Sequence, residues 1–195
     1  MSFSGPLKCS VAAICLLGAA PAFADEFTWF GQTADGNWLG GVKVESVGHG
    51  RRGYDDSANI GIVLGYEFSR PIGLDGTSSI EFELTDSFDK GKVADSGVFG
   101  MVGEWQTENL GIHFAYRTPG NVYFKAKVGA LRSNVTTMLS GLPSFREQDT
   151  SFSYGGGFGV KLGDTGNLAL ELEFSGTSGD NDLNIISIGT IYRFR

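Results

Sequence analysis

Residues 121–132 read NVYFKAKVGALR, in which alternate side chains are apolar and Lys125 and Lys127 stand between them. The stretch NLALELEFS at 167–175 repeats this pattern, with two glutamates in the intervening positions. A period of two places successive side chains on opposite faces of a β-strand, whereas a helix would scatter them around its circumference. Both stretches therefore predict strands that have one apolar face and one charged face.

The same alternation continues along most of the chain. It predicts eight strands of near ten residues each. Ten residues at a rise of ~3.3 Å and a tilt of ~40–45° span roughly 24 Å, the height of the apolar band of a transmembrane barrel. The segment 25–37 has no assignment, and 98–106 either extends the fourth strand or forms a separate element. The predicted strands cover residues 38–47, 58–69, 78–86, 109–118, 121–132, 151–162, 167–175 and 184–195.

Short and long connections alternate between the predicted strands. The short ones are rich in Gly, Pro, Asp and Asn, which favour tight turns. In an up-and-down sheet, all short turns fall at one end and all long loops at the other, as in membrane barrels. The short turns are 70–76, 118–121 and 163–166, and the long loops are 48–57, 88–103, 133–149 and 176–182.

The first 24 residues have the features of a cleavable signal peptide. Lys8 precedes a short apolar run, and Ala22-Phe23-Ala24 forms a small-x-small cleavage site. The run is too short to span a bilayer comfortably, so an uncleaved anchor is disfavoured. We therefore expect a signal peptide at 1–24 and one domain at 25–195. Because Cys9 and Cys15 both lie in the removed segment, we expect no disulfide or thiol chemistry.

Composition narrows the classes of function. The net charge of −7 and the pI near 4.8 argue against a nucleic-acid partner. The chain contains no H-E-x-x-H motif, P-loop or Cys/His cluster, so we predict no cofactor and no metal site. A hydrophobic fraction of 41% excludes a disordered composition and leaves ample surface to face a core or lipid.

The apolar faces could be buried in a soluble sandwich or a lipocalin-like barrel, with the charged faces in water. Three features favour the reverse arrangement. They are an export signal without disulfides, aromatic residues near the ends of the apolar faces, and the one-sided distribution of long loops. We therefore predict an all-β, eight-stranded, antiparallel, up-and-down transmembrane β-barrel whose apolar faces contact lipid.

In such a barrel the charged faces point inward. An eight-stranded interior is only wide enough to be filled by side chains, and charges there must pair because isolated ones are costly. Inward glycines would make room for the long side chains. The predicted interior charge network comprises Lys43, Glu45, Glu67, Glu81, Glu83, Arg117, Lys125, Lys127, Lys161, Glu171, Glu173 and Arg193, and Arg195 has the same parity.

The whole mature chain resembles the eight-stranded outer-membrane barrels of Gram-negative bacteria. It is similar to the transmembrane domain of outer membrane protein A and to opacity-type porin-family surface proteins. The end of the chain carries the most specific likeness, since Ile188, Thr190, Tyr192 and Phe194 alternate like the family's C-terminal assembly signal. Arg195 follows Phe194, whereas the family ordinarily ends on an aromatic residue. The resemblance implies a bacterial outer-membrane location, contact with lipid and lipopolysaccharide, and recognition by the barrel-insertion machinery.

From these features we expect a non-enzymatic protein with a structural or surface-interaction role carried by its outer loops. A narrow ion or solute pore is the first alternative. A lipid A-modifying enzyme that uses His49 or His113 is the second, although His113 is expected to be a packed interior residue. In the loop 48–57, Arg51 and Arg52 could contact an anion, but a solvated loop is the favoured interpretation.

Overall fold

The computed structural model describes residues 27–29, 32–34, 36–50, 53–68, 75–94, 102–179 and 182–194. All the regular secondary structure in these ranges is β-strand. No helix in these ranges is long and apolar enough to cross a membrane. The strands are β1 (Phe27–Trp29), β2 (Gln32–Ala34), β3 (Gly36–His49), β4 (Ser57–Phe68), β5 (Thr77–Asp89), β6 (Gly91–Ala94), β7 (Val102–Arg117), β8 (Val122–Leu139), β9 (Phe145–Leu162), β10 (Leu168–Ser178) and β11 (Leu183–Arg193).

Eight of these strands form a closed antiparallel barrel. Neighbours in sequence pair with each other from β3 to β5 and from β7 to β11, and β5 pairs with β7. The ring closes between its first and last strands, where Leu183 pairs with His49 and Arg193 pairs with Leu39. Closure leaves no open edge in the part of the sheet where all eight strands run side by side, as a lipid environment requires. The predicted eight-stranded up-and-down barrel is therefore confirmed.

Three short strands supplement the barrel. β1 and β2 form a hairpin of their own within the previously unassigned segment 25–37. β5 and β6 both pair with β7: the beginning of β7 at Val102–Trp105 pairs with β6, and its later part at Glu108–Arg117 pairs with β5. An isolated bridge joins Tyr54 to Val93, which ties the connection after β3 to β6. β6 therefore extends the wall of the barrel beyond the end of β5.

The eight barrel strands have 11 to 18 residues, and most of them are longer than predicted; β4 and β11 are not. The predicted long loop at 133–149 is wrong. The pairing of β8 with β9 continues through this segment as far as Thr137 and Phe145, and only residues 140–144 separate the two strands. The prediction failed because the outward residues here are polar, so the alternation of hydrophobicity fades although pairing continues. Residues 102–106 belong to β7 and so extend the fourth barrel strand, while 98–101 lie outside the described residues.

The barrel has polar residues inside and apolar residues outside. Phe82 and Phe124 are 51% and 60% exposed, whereas their neighbours Glu81 and Lys125 are 0% and 4% exposed. The apolar outer faces of the eight strands form a continuous band. Aromatic pairs lie where this band meets the end of the short turns, for example Tyr192 and Phe194 with ring centroids 5.0 Å apart. This burial pattern excludes the soluble alternative, in which the apolar faces would be the buried ones.

A cation placed on the apolar band should destabilise the barrel according to its depth in the bilayer. Leu170 lies within the run of exposed apolar residues Leu168, Leu170, Leu172 and Phe174 on the outward face of β10, and Ser178 lies beyond this run, at the end of the same strand. We expect Leu170→Arg to lower the free energy of unfolding in lipid vesicles by about 2–4 kcal/mol, and Ser178→Arg by about 0–1 kcal/mol. Urea titration in vesicles measures both variants. Equal losses would contradict the assignment of the band to lipid.

Candidate functional site

The interior of the barrel is divided into zones along its axis. We call the end that carries residues 50, 53–56, 140–144, 179 and 182 the loop end, and the opposite end, which carries 118–121 and 163–167, the turn end. An apolar plug fills the loop end, an ion layer fills the middle, and a cavity opens at the turn end. The plug comprises Val47, Val93, Trp105, Leu131, Val135, Leu183 and Ile185, and the ion layer comprises Lys43, Glu45, Glu81, Glu83, Arg117, Lys125, Lys127, Glu171 and Glu173.

Lys125 is the most connected group of the ion layer. Its Nζ lies 2.9 Å from carboxylate oxygens of both Glu81 and Glu171. A third carboxylate oxygen, Oε1 of Glu173, lies 2.5 Å away. The three carboxylates come from β5 and β10, while Lys125 comes from β8, so this cluster links strands on opposite sides of the barrel. One ammonium group therefore holds the interior together across its diameter.

The other cations extend the cluster in both directions. On the turn side, Arg117 contacts Glu81 at 2.7 Å, and its Nε donates to Glu171 at 2.8 Å. On the loop side, Lys127 lies 2.8 Å from oxygens of both Glu83 and Glu173. Lys43 lies 2.5 Å from Glu83 and 2.8 Å from Glu45, and the Tyr123 hydroxyl donates to Glu171 at 2.7 Å. The layer thus holds four cations and five carboxylates.

Glycines lie directly across from the charged residues in neighbouring strands. Lys125 pairs in register with Gly157, and Lys127 pairs with Gly155. A Cβ at Gly157 would lie 2.1 Å from the Leu172 carbonyl oxygen, so this position accepts no side chain without movement. The same arrangement recurs around the ring, where Lys43 pairs with Gly61 and Gly189, Glu81 with Gly65, Glu83 with Gly111, and Glu171 with Gly159. The glycine-rich strands therefore supply the volume that the long charged side chains fill.

The apolar plug is built around Trp105, which is completely buried. Its Nε1 donates to the Asp55 carbonyl oxygen at 2.7 Å, and its ring packs edge-on against Tyr54 and His49. Trp105 has no predicted role, because it falls in the segment 98–106, whose assignment the alternation leaves open. The pairing of β6 with β7 brings Val93 to the same cluster. The loop end of the interior is therefore closed by packed apolar side chains.

His113 lies between the ion layer and the plug and has two polar neighbours. Its Nε2 is 3.2 Å from Ser153 Oγ, and its Nδ1 is 3.6 Å from Glu83 Oε1. Serine, histidine and carboxylate are the components of a hydrolase triad, but 3.6 Å exceeds a hydrogen bond. The cavity beside these groups has a volume of about 10 Å³, the size of one water molecule. The arrangement has no room for an acyl chain.

Three of the predicted interior charges lie outside the ion layer. Arg193 pairs with Glu67 near the turn end, at 3.0 Å. Lys161 is half-buried at the mouth of the barrel and makes no ion pair with any residue that the structure describes. The suggested loop contacts Arg51 and Arg52, as well as Arg195, lie outside the described residues. The prediction missed the hydroxyl partners Tyr123 and Ser153, although both stand at inward positions of the alternating pattern.

Metal ligation finds no support in the described part of the chain, which holds no group of three or more His, Cys, Asp or Glu side chains placed to bind an ion. His49, which the sequence placed in a loop, is the last residue of β3 and contacts the rings of Tyr54 and Trp105. The polar interior is thus occupied by ion pairs and aromatic packing.

A family profile described as the outer membrane protein beta-barrel domain matches residues 10–194. The chain belongs to this family. The family implies a place in the bacterial outer membrane, and the lipid-facing band described above fits that place. A comparison with curated proteins found no match.

Solved structures of the outer-membrane barrel family resemble the chain in fold. Ail, the attachment invasion locus protein of Yersinia pestis, has 15% identity and a TM-score of 0.52, covering 84% of this chain and 100% of its own. The N-terminal barrel domain of Pseudomonas aeruginosa OprF has 17% identity and a TM-score of 0.52, with coverage of 82% and 100%. OprG from P. aeruginosa has 12% identity and a TM-score of 0.56, with coverage of 83% and 97%. At these identities the likeness extends to the fold alone.

Removing the central lysine should destabilise this outer-membrane barrel strongly. In Lys125→Met, three buried carboxylates lose a cation, and we expect the free energy of unfolding to fall by about 3–5 kcal/mol. The double variant Lys125→Met/Glu173→Gln restores the original excess of one carboxylate, so it should lose less. Urea titration in lipid vesicles measures both. Phe124→Leu, on the lipid-facing side of the same strand, is the control, and a loss equal to that of Lys125→Met would contradict the account.

Proposed function

We propose that the chain is an outer-membrane surface protein that neither conducts ions nor catalyses a reaction. In this proposal the signal peptide is cleaved after Ala24, the insertion machinery assembles the barrel, and the outer band contacts lipid and lipopolysaccharide. Function then resides at the loop end, which in this class of barrel faces the cell exterior. The observation that carries the proposal is the double closure of the interior.

Both the ion layer and the apolar plug obstruct the axis of the barrel. The cavities beside Lys43 and beside His113 are each about 10 Å³, enough for one water molecule but not for a hydrated ion in transit. Opening the layer would require several ion pairs to separate at once, because Lys125 and Lys127 share Glu173 between them. A steady pore would also require Trp105 to leave its packed position. These features argue for a closed barrel.

The interior also argues against lipid A chemistry. The one candidate triad surrounds Ser153 and His113, which are both buried beneath the plug and separated by the barrel wall from the lipid that would supply a substrate. His49 packs against the rings of Tyr54 and Trp105 at the loop end, as part of the aromatic packing there. Neither histidine is placed to act as a general base on an acyl ester.

Conductance measurements test the closed-barrel proposal. We expect folded protein, identified by heat-modifiable gel mobility, to show no steady conductance in planar bilayers at either voltage polarity. A large porin inserted under the same conditions provides the positive control. Steady, ion-selective conductance from the folded form would overturn the proposal in favour of the narrow pore.

The loop end offers an acidic surface for interaction. β7, β8 and β9 continue beyond the apolar band as a paired sheet, which presents Glu104 and Glu108 at its exposed face. Lys90 and Arg146 neutralise these two carboxylates only in part, since exposed pairs are weak and screened by salt. Carboxylates outnumber cations among the described residues of this end: Asp55, Asp56, Asp86, Asp89, Glu104, Glu108, Glu147, Asp149 and Asp182 stand against Lys90, Lys92, Arg132 and Arg146.

An acidic surface selects a cationic partner. A structure of Ail has been determined in complex with the heparin analogue sucrose octasulfate, which is a polyanion. The excess of carboxylates at the loop end of this chain would repel such a ligand. We therefore infer that its surface partner carries positive charge, for example a basic peptide segment.

Paired probes test the charge of the partner. We expect a fluorescent lysine peptide to bind the protein in nanodiscs with an affinity that falls as salt rises, and sucrose octasulfate to bind much less. The triple variant Asp89→Asn/Glu104→Gln/Glu108→Gln should weaken peptide binding several-fold. The control variant Asp75→Asn/Asp164→Asn removes carboxylates from the turn end and should leave binding unchanged. Tighter binding of the polyanion would refute the inference.

A further inference from the structure

A second feature lies at the turn end of the barrel, away from the acidic surface. A cavity with a volume of about 200 Å³ opens there between the ends of β7, β8, β9 and β11. Its rim includes the exposed turn residues Pro119 and Gly120, so it communicates with solvent on this side. By the measure in which about 10 Å³ holds one water, the cavity has room for several waters, or for a small oxyanion with some of its hydration.

The charged side chains that line this cavity are all cationic. Arg117, Lys161 and Arg193 contribute to its wall, and no carboxylate of the described residues does so. Arg117 is saturated by Glu81, Glu171 and Ser79 on the side of the ion layer, so it contributes positive potential more than free donors. The other two cations of its wall are Lys161 and Arg193.

The guanidinium group of Arg193 has a buried donor without a hydrogen-bond partner, which points to a ligand. It is 4% exposed, and its Nε donates to both oxygens of Glu67, at 3.2 and 3.0 Å. Its Nη1 is buried and has no hydrogen-bond partner among the described residues. A buried charged donor without a partner is costly, whereas guanidinium groups bind phosphate and carboxylate oxygens well.

Lys161 supplies a second cation at the entrance. It is the penultimate residue of β9 and faces inward, and its aliphatic stem lies against the turn at Gly166. Its backbone N–H donates to the Asn121 carbonyl oxygen, which fixes the base of the side chain beside the cavity. Among the six interior cations predicted from sequence, Lys161 is the one without a carboxylate in the described structure.

We propose that this turn-end cavity binds a small oxyanion, with phosphate as its chemistry, through Lys161 and Arg193. The turn end of this class of barrel faces the periplasm. The oxyanion therefore comes either from free inorganic phosphate or from the phosphate head group of an inner-leaflet lipid. Neither source requires a change in the ion layer, so the site is independent of the proposed role of the loop end.

Calorimetric titration with inorganic phosphate tests the site. In dodecyl maltoside, which contains no phosphate, we expect saturable binding that Lys161→Gln weakens by about tenfold, as the loss of one charge-assisted hydrogen bond predicts. Lys92→Gln makes the same change of charge on an exposed residue at the loop end and should bind phosphate like the unmodified protein. Lys161→Gln leaves every ion pair of the described interior intact, so its fold should be retained.

A second arm identifies the source of the phosphate. In phosphatidylglycerol nanodiscs, a lipid head group that occupies the cavity would abolish binding of added phosphate, whereas binding as tight as in detergent would identify the free anion as the ligand. Either result, with the loss in Lys161→Gln, supports the site. Absence of saturable binding at millimolar phosphate in detergent would overturn the proposal. Equal affinities of Lys161→Gln and Lys92→Gln would also overturn it.

Discussion

Charged side chains enclosed by eight strands must find partners within the barrel, and most of the structure follows from that constraint. Lys125 on β8 meets this requirement by contacting three carboxylates, one from β5 and two from β10, which lie on either side of it around the ring. There is room for these short contacts because the strand next to each charge carries glycine in register with it, as Gly157 on β9 does beside Lys125. The inward charged residues and the glycines beside them therefore depend on each other. The long side chains supply the cohesion of the interior, and the missing side chains supply the space.

The same constraint explains why the outside of the barrel is apolar. In each strand the polar residues point inward, so the alternate residues point outward. These outward residues are apolar side chains such as Phe82 and Phe124, which are exposed unless lipid covers them. A water-soluble protein of this size would bury these faces. Here their exposure forms a band, and the polarity of the outward residues changes only where β7, β8 and β9 extend past it. The apolar band on the outer surface thus indicates where the bilayer lies.

The two ends of the interior differ because the charges are not balanced at every depth. The ion layer has one carboxylate more than it has cations, and Lys161 stands apart at the turn end with Arg193 beside it. The loop end is closed by the plug around Trp105 and carries an acidic rim. A closed loop end and a cationic cavity at the turn end assign different chemistry to the two sides of the membrane. Such a division supports the proposal that the protein acts at its surfaces.

The sequence by itself determined the class of fold, because a period of two fixes which residues share a face regardless of what that face contacts. It also determined which residues enter the interior, including Lys125, Glu171 and His113. It could not determine how far β8 and β9 continue, since pairing persists through backbone hydrogen bonds after the hydrophobic alternation has ended. Nor could it determine which charges meet, because Lys125 and Glu81 are separated along the chain and become neighbours only when β3 and β11 pair and close the ring. That closure also decided that Trp105 forms a plug and that Lys161 is left without a carboxylate among its described neighbours. These outcomes depend on strand stagger across the whole barrel, which no local pattern of residues encodes.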